Sequence, residues 1–298
     1  MDILVFGESL VDVFLDSRVV LGGAPFNTAR AAARLNAHVE MVTTLSTDAL
    51  GEQLLTALHS AGVHTTHVAR SSLPTARVTV YGEPPTYTFS LDKTASVQFP
   101  RHSELPNKSM FSYGSVAALV EPFHTPLIAY LRQSNGIHFF DPNIRPDALP
   151  RNFPLAEHVA SLASLADIIR LSDEDLAHLP EDTPSSWLAG RTQVVIITRG
   201  VQPGTILFQD GSEMHVSTVP SPVFIDSVGA GDTVNGSILA SLQRLGGVPT
   251  TTAVWAALLS EAFAAAALTC GQRGANPPTR AQVAMFMNTL PLSELTPS

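Results

Sequence analysis

Two acidic residues bracket a glycine turn at residues 226 to 232, D-S-V-G-A-G-D, between an apolar run and a long apolar helix. The run Val223-Phe224-Ile225 reads as an extended segment closed by Asp226 and Ser227. Gly229-Ala230-Gly231 can turn tightly, because glycine accepts positive φ. Asp232 then opens a helix in which Val234, Ile238, Leu242 and Leu245 recur at helical spacing. A turn feeding a helix start gathers unpaired backbone N–H groups at the positive end of the helix dipole. That is an anion site, and phosphate is its common occupant. A carboxylate beside an anion site has a different job, which is to take the proton of a hydroxyl that attacks phosphorus. The structural alternative is capping, a task Asp performs at many helix starts.

A second glycine turn opens another helix at residues 22 to 27, G-G-A-P-F-N, with Pro25 placed for helix initiation. Its chemistry differs. Asn27 offers a donor and an acceptor, which suits hydroxyls better than phosphate. Gly22 and Gly23 permit close backbone approach, and Asp12, at the end of the preceding strand segment, adds acceptors. An Asp, two glycines and an Asn suit a polyol such as a sugar; the structural alternative for Asn27 is a local hydrogen bond at the helix start.

Composition narrows the field. The 298 residues can bury a large core, and 45% hydrophobic with 14% charged residues fits a globular enzyme. A net charge of −9 leaves no electrostatic footprint for nucleic acid or an anionic membrane. Lysine occurs only at 93 and 108, and no G-x-x-x-x-G-K-[ST] string exists, which excludes a Walker A loop. The single cysteine, Cys270, cannot form an internal disulfide, and acidic residues at 2, 8 and 12 interrupt the apolar N-terminus. The apolar stretch from 254 to 268 falls short of a membrane span. The expectation is a cytoplasmic protein. His64 and His67 form an H-x-x-H without a third ligand, and Met285 and Met287 read as filler.

Short β-branched or aromatic runs alternate with helical stretches. Strands are predicted at 3–6, 39–45, 110–113, 137–140, 168–171 and 194–198, and helices at 26–35, 50–61, 126–133, 156–165, 233–245 and 252–269. This rhythm predicts an α/β fold with a mostly parallel sheet covered on both faces and ligands at the carboxyl ends of its strands. One stretch breaks the rhythm: 77–81 and 86–91 read as a hairpin joined by Gly82-Glu83-Pro84-Pro85. With a short strand pair at 11–15 and 18–21, it predicts a small β lid built from about 12–22 and 74–100 on a single domain.

Together, G-G-A-P-F-N at 22–27 and D-S-V-G-A-G-D at 226–232 resemble the ribokinase or PfkB family of sugar and nucleoside kinases. D-P-N-I-R at 141–145, L-S-D-E-D-L at 171–176 and G-A-N-P-P-T-R at 274–280 fall in that family's order and are similar to its fructokinase branch. The resemblance spans essentially the whole chain. It implies a ribokinase-like three-layer α/β/α fold with a small β lid, a transfer of the ATP γ-phosphate to a sugar hydroxyl, and Mg²⁺ with the nucleotide. Asp232 matches the general base, and Gly229, Ala230 and Gly231 match the anion hole. Asp12, Gly23 and Asn27 match sugar contacts, with Gly22 beside them. Asp175 stands in a motif that organises Mg²⁺ and the phosphates, mostly through water. Thr198-Arg199-Gly200 matches the nucleotide loop. Asp226 and Val228 fall where some members bind a monovalent cation, K⁺, through backbone oxygens.

The departures shape the expectations. Asp175 is one methylene shorter than the usual Glu, and Phe263 stands where many members place Asn near the adenine, so the base would be held by packing. The segment from 13 to 21 is short for a full first lid strand, which bears on whether the lid pairs two chains in a homodimer. Arg145 reads either as a cleft-facing clamp for an anionic group or as a partner of Asp141, and Asn143 is similar. Fructose or a related ketohexose leads as acceptor, with Asp232 ionised at neutral pH. Other acceptors are 2-keto-3-deoxygluconate, another sugar or a nucleoside. A sugar- or nucleotide-binding regulator without turnover is the non-enzymatic alternative.

Overall fold

The computed structural model describes residues 1–82, 86–100, 105–106 and 109–290. Each of the six predicted core strands forms, and three more join them. In chain order these are β1 (Ile3–Phe6), β4 (Val39–Ser46), β5 (Val68–Ser71), β8 (Met110–Gly114), β9 (Ile137–Asp141), β10 (Ile168–Ser172), β11 (Val194–Arg199), β12 (Gln202–Phe208) and β13 (Glu213–Val216). They make a nine-stranded sheet in the order β13-β12-β11-β10-β9-β8-β1-β4-β5. Neighbours from β11 to β5 are parallel, and β12 and β13 add an antiparallel edge.

The strand period of two explains the layers. Ile3 and Val5 of β1 enter one core cluster and Leu4 and Phe6 the other; Ile168 and Ile169 of β10 divide the same way. Both faces are therefore buried, as parallel sheets require. On one side lie the helices Ala24–Arg34, Ala49–Ala61, Ala230–Leu245 and Thr252–Cys270, and on the other His124–Leu131 and Leu155–Ala163. Thr252–Cys270 is long and apolar enough to cross a membrane, but Trp255, Leu258, Leu259 and Phe263 bury it in the core of this domain.

The segments expected to form the lid make a separate four-stranded sheet, β3-β2-β6-β7, of β2 (Leu10–Phe14), β3 (Val19–Gly22), β6 (Ala76–Tyr81) and β7 (Thr86–Ser90). The expectation of little room for a first lid strand is corrected here. β2 starts at Leu10, immediately after the β1 turn, so a complete antiparallel pair with β3 fits before the glycines. β2 then runs parallel to β6, with Asp12 opposite Val78. Residues 83–85 of the predicted hairpin turn lie outside the described residues. A second correction concerns Val223-Phe224-Ile225, which is irregular chain and exposed, with Phe224 at 71%. The amides of Ile225 and Asp226 donate to Cys270 O at the end of helix Thr252–Cys270, so a helix end holds this run in place of a neighbouring strand.

One contact sets the geometry of everything that follows. A Cβ on Gly236 would stand 2.6 Å from the Cβ of Ala31, so helices Ala24–Arg34 and Ala230–Leu245 cross almost backbone to backbone. Ala31 lies four residues beyond Asn27 and Gly236 four beyond Asp232, one helical turn on the same face. The two helix starts therefore converge at one end of the domain.

Candidate active site

Asn27 and Asp232, 205 residues apart in sequence, meet directly: Asn27 Nδ2 donates to Asp232 Oδ2 at 2.8 Å. The two glycine turns are thus two walls of one cleft. Gly229 caps the second helix with φ 78, and a Cβ there would stand 2.4 Å from the Cβ of Ala275, so only glycine fits. Within the turn, the Ala230 N–H donates to Ser227 O and the Thr233 N–H to Gly229 O. The Gly231 and Asp232 amides belong to the helix start, where no intrahelical acceptor serves them. Of the three residues expected to form the anion hole, Ala230 therefore spends its amide inside the turn.

Asp232 is not simply ionised at neutral pH. Burial pushes its carboxyl up to about 7, with Asp141 adding to the rise and the Asn27 hydrogen bond, Arg145 and Arg170 opposing it. That value suits proton transfer near neutrality better than an ordinary Asp would. Asp12 faces Gly22 from the lid, with Oδ2 3.3 Å from where a Gly22 Cβ would stand, and burial pushes it up to about 6. Gly23 is the cap of the first helix at φ 102, and a Cβ on it would meet Glu8 O at 2.7 Å. Asp12, Gly22, Gly23 and Asn27 thus line the wall that joins lid to core.

The carboxyl ends of β8 to β11 supply the floor. Ser115 (φ 58) and Asn143 (φ 38) hold left-handed backbone without being glycine, and Asn143 Nδ2 donates to Ser115 Oγ at 3.0 Å. Strain of this kind collects at functional sites. Arg145 is exposed, bonds its own Ile144 O, and acts on both Asp232 and Glu8. It does not pair with Asp141; that carboxylate is taken by Arg170 at 3.1 Å.

Two residues expected on the nucleotide side make contacts within the protein. Asp175 is 2% exposed, and its oxygens accept from Ile144 N (2.6 Å), Ser172 N (2.8 Å) and Ser172 Oγ (2.6 Å). This is a capping box that also ties the loop after β9 to the end of β10, which leaves Asp175 little reach toward a metal's waters. Phe263 is 6% exposed, with its ring packed under Gly204 of β12. Thr198 stands at the end of β11 with its hydroxyl held by Arg170, and Gly200 follows in open space at φ 54. Asp226 accepts from Val228 N and Gly274 N and so clamps the turn to the 274–276 loop.

The profile of the pfkB family carbohydrate kinases matches residues 9–282. The chain belongs to this family. As a pfkB-family protein it is a carbohydrate kinase, a phosphotransferase with an alcohol group as acceptor. It is similar to the fructokinase of Rhizobium leguminosarum bv. trifolii, 29% identical over 264 residues covering 81% of this chain and 79% of the relative. It is likewise similar to the probable fructokinase-5 of Arabidopsis thaliana, 27% identical over 322 residues covering 96% and 97%. Among solved structures, the fructokinase of Xylella fastidiosa with bound ATP superposes with a TM-score of 0.87 at 25% identity, covering 96% of this chain and 98% of that one.

Within this pfkB-family site, Arg170, Asp141, Asn235 and Glu8 are residues that sequence reasoning did not select. Glu8 is buried beneath the cleft and accepts from Ser115 Oγ (2.6 Å) and Ala117 N (3.0 Å). Asn235 Nδ2 donates to Asp141 Oδ2 at 2.5 Å. Arg170 left a readable signal of its own. It interrupts Ile168-Ile169-Arg170-Leu171, a strand buried on both faces, where a charge needs a partner. Among the described residues no group of three or more His, Cys, Asp or Glu could hold a metal ion.

Proposed function

We propose that this kinase transfers the γ-phosphate of ATP to a hydroxyl of fructose or a related ketohexose, with Asp232 as general base. The observation that carries the reading is the Asn27–Asp232 contact, which joins a polyol-type wall to an anion-type turn within one hydrogen bond. The acceptor hydroxyl would lie between Asn27, Asp12 and Asp232, and its proton would pass to Asp232 as the oxygen attacks phosphorus. The Gly231 and Asp232 amides, at the positive end of the helix, would take the phosphoryl oxygens. Mg²⁺ enters with ATP as substrate and spreads the charge on its phosphates. The lid sheet, carrying Asp12, would close over the acceptor and keep water from the phosphoryl group.

ADP release from Mg-ATP over a panel of sugars, sugar acids and nucleosides tests the reading. Turnover on fructose well above the other acceptors is the expected result. Turnover only on a different acceptor would replace the substrate, and bound ATP without ADP release on any acceptor would leave a regulator. Arg145 favours one second reading. An exposed guanidinium beside the cleft, bonded only to its own neighbour's carbonyl among the described residues, suits a carboxylate-bearing acceptor such as 2-keto-3-deoxygluconate. Arg145→Gln would then raise KM for that acid selectively. For the monovalent cation, Asp226 spends its carboxylate within the turn, so backbone oxygens of 226 and 228 would be the donors. Activity in K⁺ against choline at equal ionic strength tests that site.

A further inference from the structure

Arg170 lies beneath the glycine turn. It is 7% exposed on β10, donates from Nη1 to Asp141 Oδ2 at 3.1 Å and from Nη2 to Thr198 Oγ1 at 2.5 Å. Both terminal nitrogens lie 3.2 Å from where a Cβ on Gly231 would stand, so the guanidinium is packed against the underside of the anion hole. Its Nε is buried and has no partner. Asp141 is tied in turn to Asn143 N at 3.0 Å and to Asn235 Nδ2 on the helix that carries Asp232. Three strand ends and the catalytic helix thus meet on one ion pair.

An isolated charge of either sign would be costly at this depth. As a pair, Arg170 and Asp141 are neutral, and each screens Asp232 from the other. We propose that Arg170 and Asp141 are positioning residues that seat the glycine turn and set the pH range in which Asp232 works as a base. The inference rests on the reading of Asp232 as that base. The charged and polar groups acting on Asp232 are Asn27 from the first helix, Asp141 from β9, Arg145 from the loop after β9, and Arg170 from β10. Asp141 disfavours the ionised base; Arg145 and Arg170 favour it.

The two members of the pair therefore have opposite signatures. Arg170→Met leaves Asp141 uncompensated and moves the acid limb of kcat/KM to higher pH. Asp141→Asn leaves Arg170 uncompensated and moves that limb to lower pH. Each shift should be about one pH unit, the usual effect of a nearby charge. Arg170→Lys keeps the charge, gives up the two-pronged contact, and should lower kcat while the limb stays in place. A merely structural pair would lower kcat or stability in both variants with the limb unmoved, which would overturn the proposal, as would shifts in the same direction.

Asp141→Asn is nearly isosteric and disturbs packing less than Arg170→Met, so it is the second variant to read where Arg170→Met does not fold. A second readout needs no turnover. Melting temperature is followed from pH 5 to 9 for each variant with and without Asp232→Asn, and the pH at which the difference between the two curves stops growing reports the ionisation of Asp232 in the fold. Displacement of that point upward for Arg170→Met and downward for Asp141→Asn supports the pair even if no acceptor turns over. An unmoved point with normal turnover overturns the pair and leaves the kinase reading intact.

Discussion

Asp175 and Asp232 occupy the same place in their helices, the third residue after the cap, yet the structure uses them in opposite ways. Asp175 follows Ser172, whose hydroxyl and amide both engage its carboxylate, and Ile144 N takes the other oxygen. Asp232 follows Gly229, which has no side chain to return the bond, and its carboxylate reaches Asn27 across the cleft. A hydroxyl at the cap engages the acid in a capping box, and a glycine there leaves the carboxylate free to reach across the cleft. The loop Gly274–Asn276 enforces the second case, since Ala275 occupies the space that any Cβ at 229 would need.

The largest expected effect separates the two acids by function. Asp232→Asn should lower kcat roughly 10²–10⁴-fold, the usual worth of general-base help, while Kd for sugar and ATP stays within a few-fold by calorimetry. An unchanged kcat would remove Asp232 from the chemistry. The same change should raise stability, and the sign follows from the carboxyl standing at about 7 in the fold against an ordinary 3.8. Between those values the folded chain holds the proton more tightly, so wild-type stability falls as pH rises through the window. The advantage of Asn over Asp should grow from pH 4 to pH 7 and then level, by about 1–2 kcal/mol or a few degrees in Tm.

Asp175→Ala should do the reverse. It strands the Ile144 and Ser172 amides in a buried corner, at a cost of about 2–4 kcal/mol. Tm should fall by several degrees. At a temperature where the variant remains folded, its loss in kcat should be far smaller than that of Asp232→Asn. A variant that is thermally normal yet inactive would return Asp175 to the phosphate chemistry.

Much of this contrast was legible before any coordinates, and the rest was hidden for a definite reason. The six inner strands and the helices between them follow from apolar period, and both glycine turns from residue type and order. Asp12, Asn27, Gly231 and Asp232 could be selected because each sits in a local string whose chemistry is readable. Phe263 and Asp175 could not be placed, since what decides their use is a distant neighbour: Gly204 for one, Ile144 for the other. Asp141 was visible but was weighed against Arg145, four residues away, when its partner is Arg170 on the next strand. Val223-Phe224-Ile225 has strand propensity, but the distant Cys270 carbonyl takes the amide of Ile225. Pairings across the sheet carry no signature in a single chain.

Gly229→Ser asks whether the cap alone can convert one acid into the other. The hydroxyl would offer Asp232 the bond that Ser172 offers Asp175. It would also put a Cβ 2.4 Å from that of Ala275 on a backbone at φ 78, a strain of order 1–3 kcal/mol. Both stability and kcat should fall, and pairing the change with Ala275→Gly should restore part of the stability. If stability returns while kcat does not, capture of Asp232 by the new hydroxyl is the cause.

Ser172→Ala is the gentlest test of the same rule. The capping hydroxyl is lost, but Asp175 keeps the amides of Ser172 and Ile144, so the cost should be about 1 kcal/mol, the usual value of a cap. Because Asp175 stays buried, losing the hydroxyl gives it no path to the cleft, and kcat should hold within two-fold. Chemical denaturation with matched m-values measures the first outcome and steady-state kinetics the second. A ten-fold fall in kcat at this small cost would mean that the hydroxyl touches the reacting groups. The cap would then be part of the chemistry on both sides of the cleft, and the division between the two aspartates would not stand.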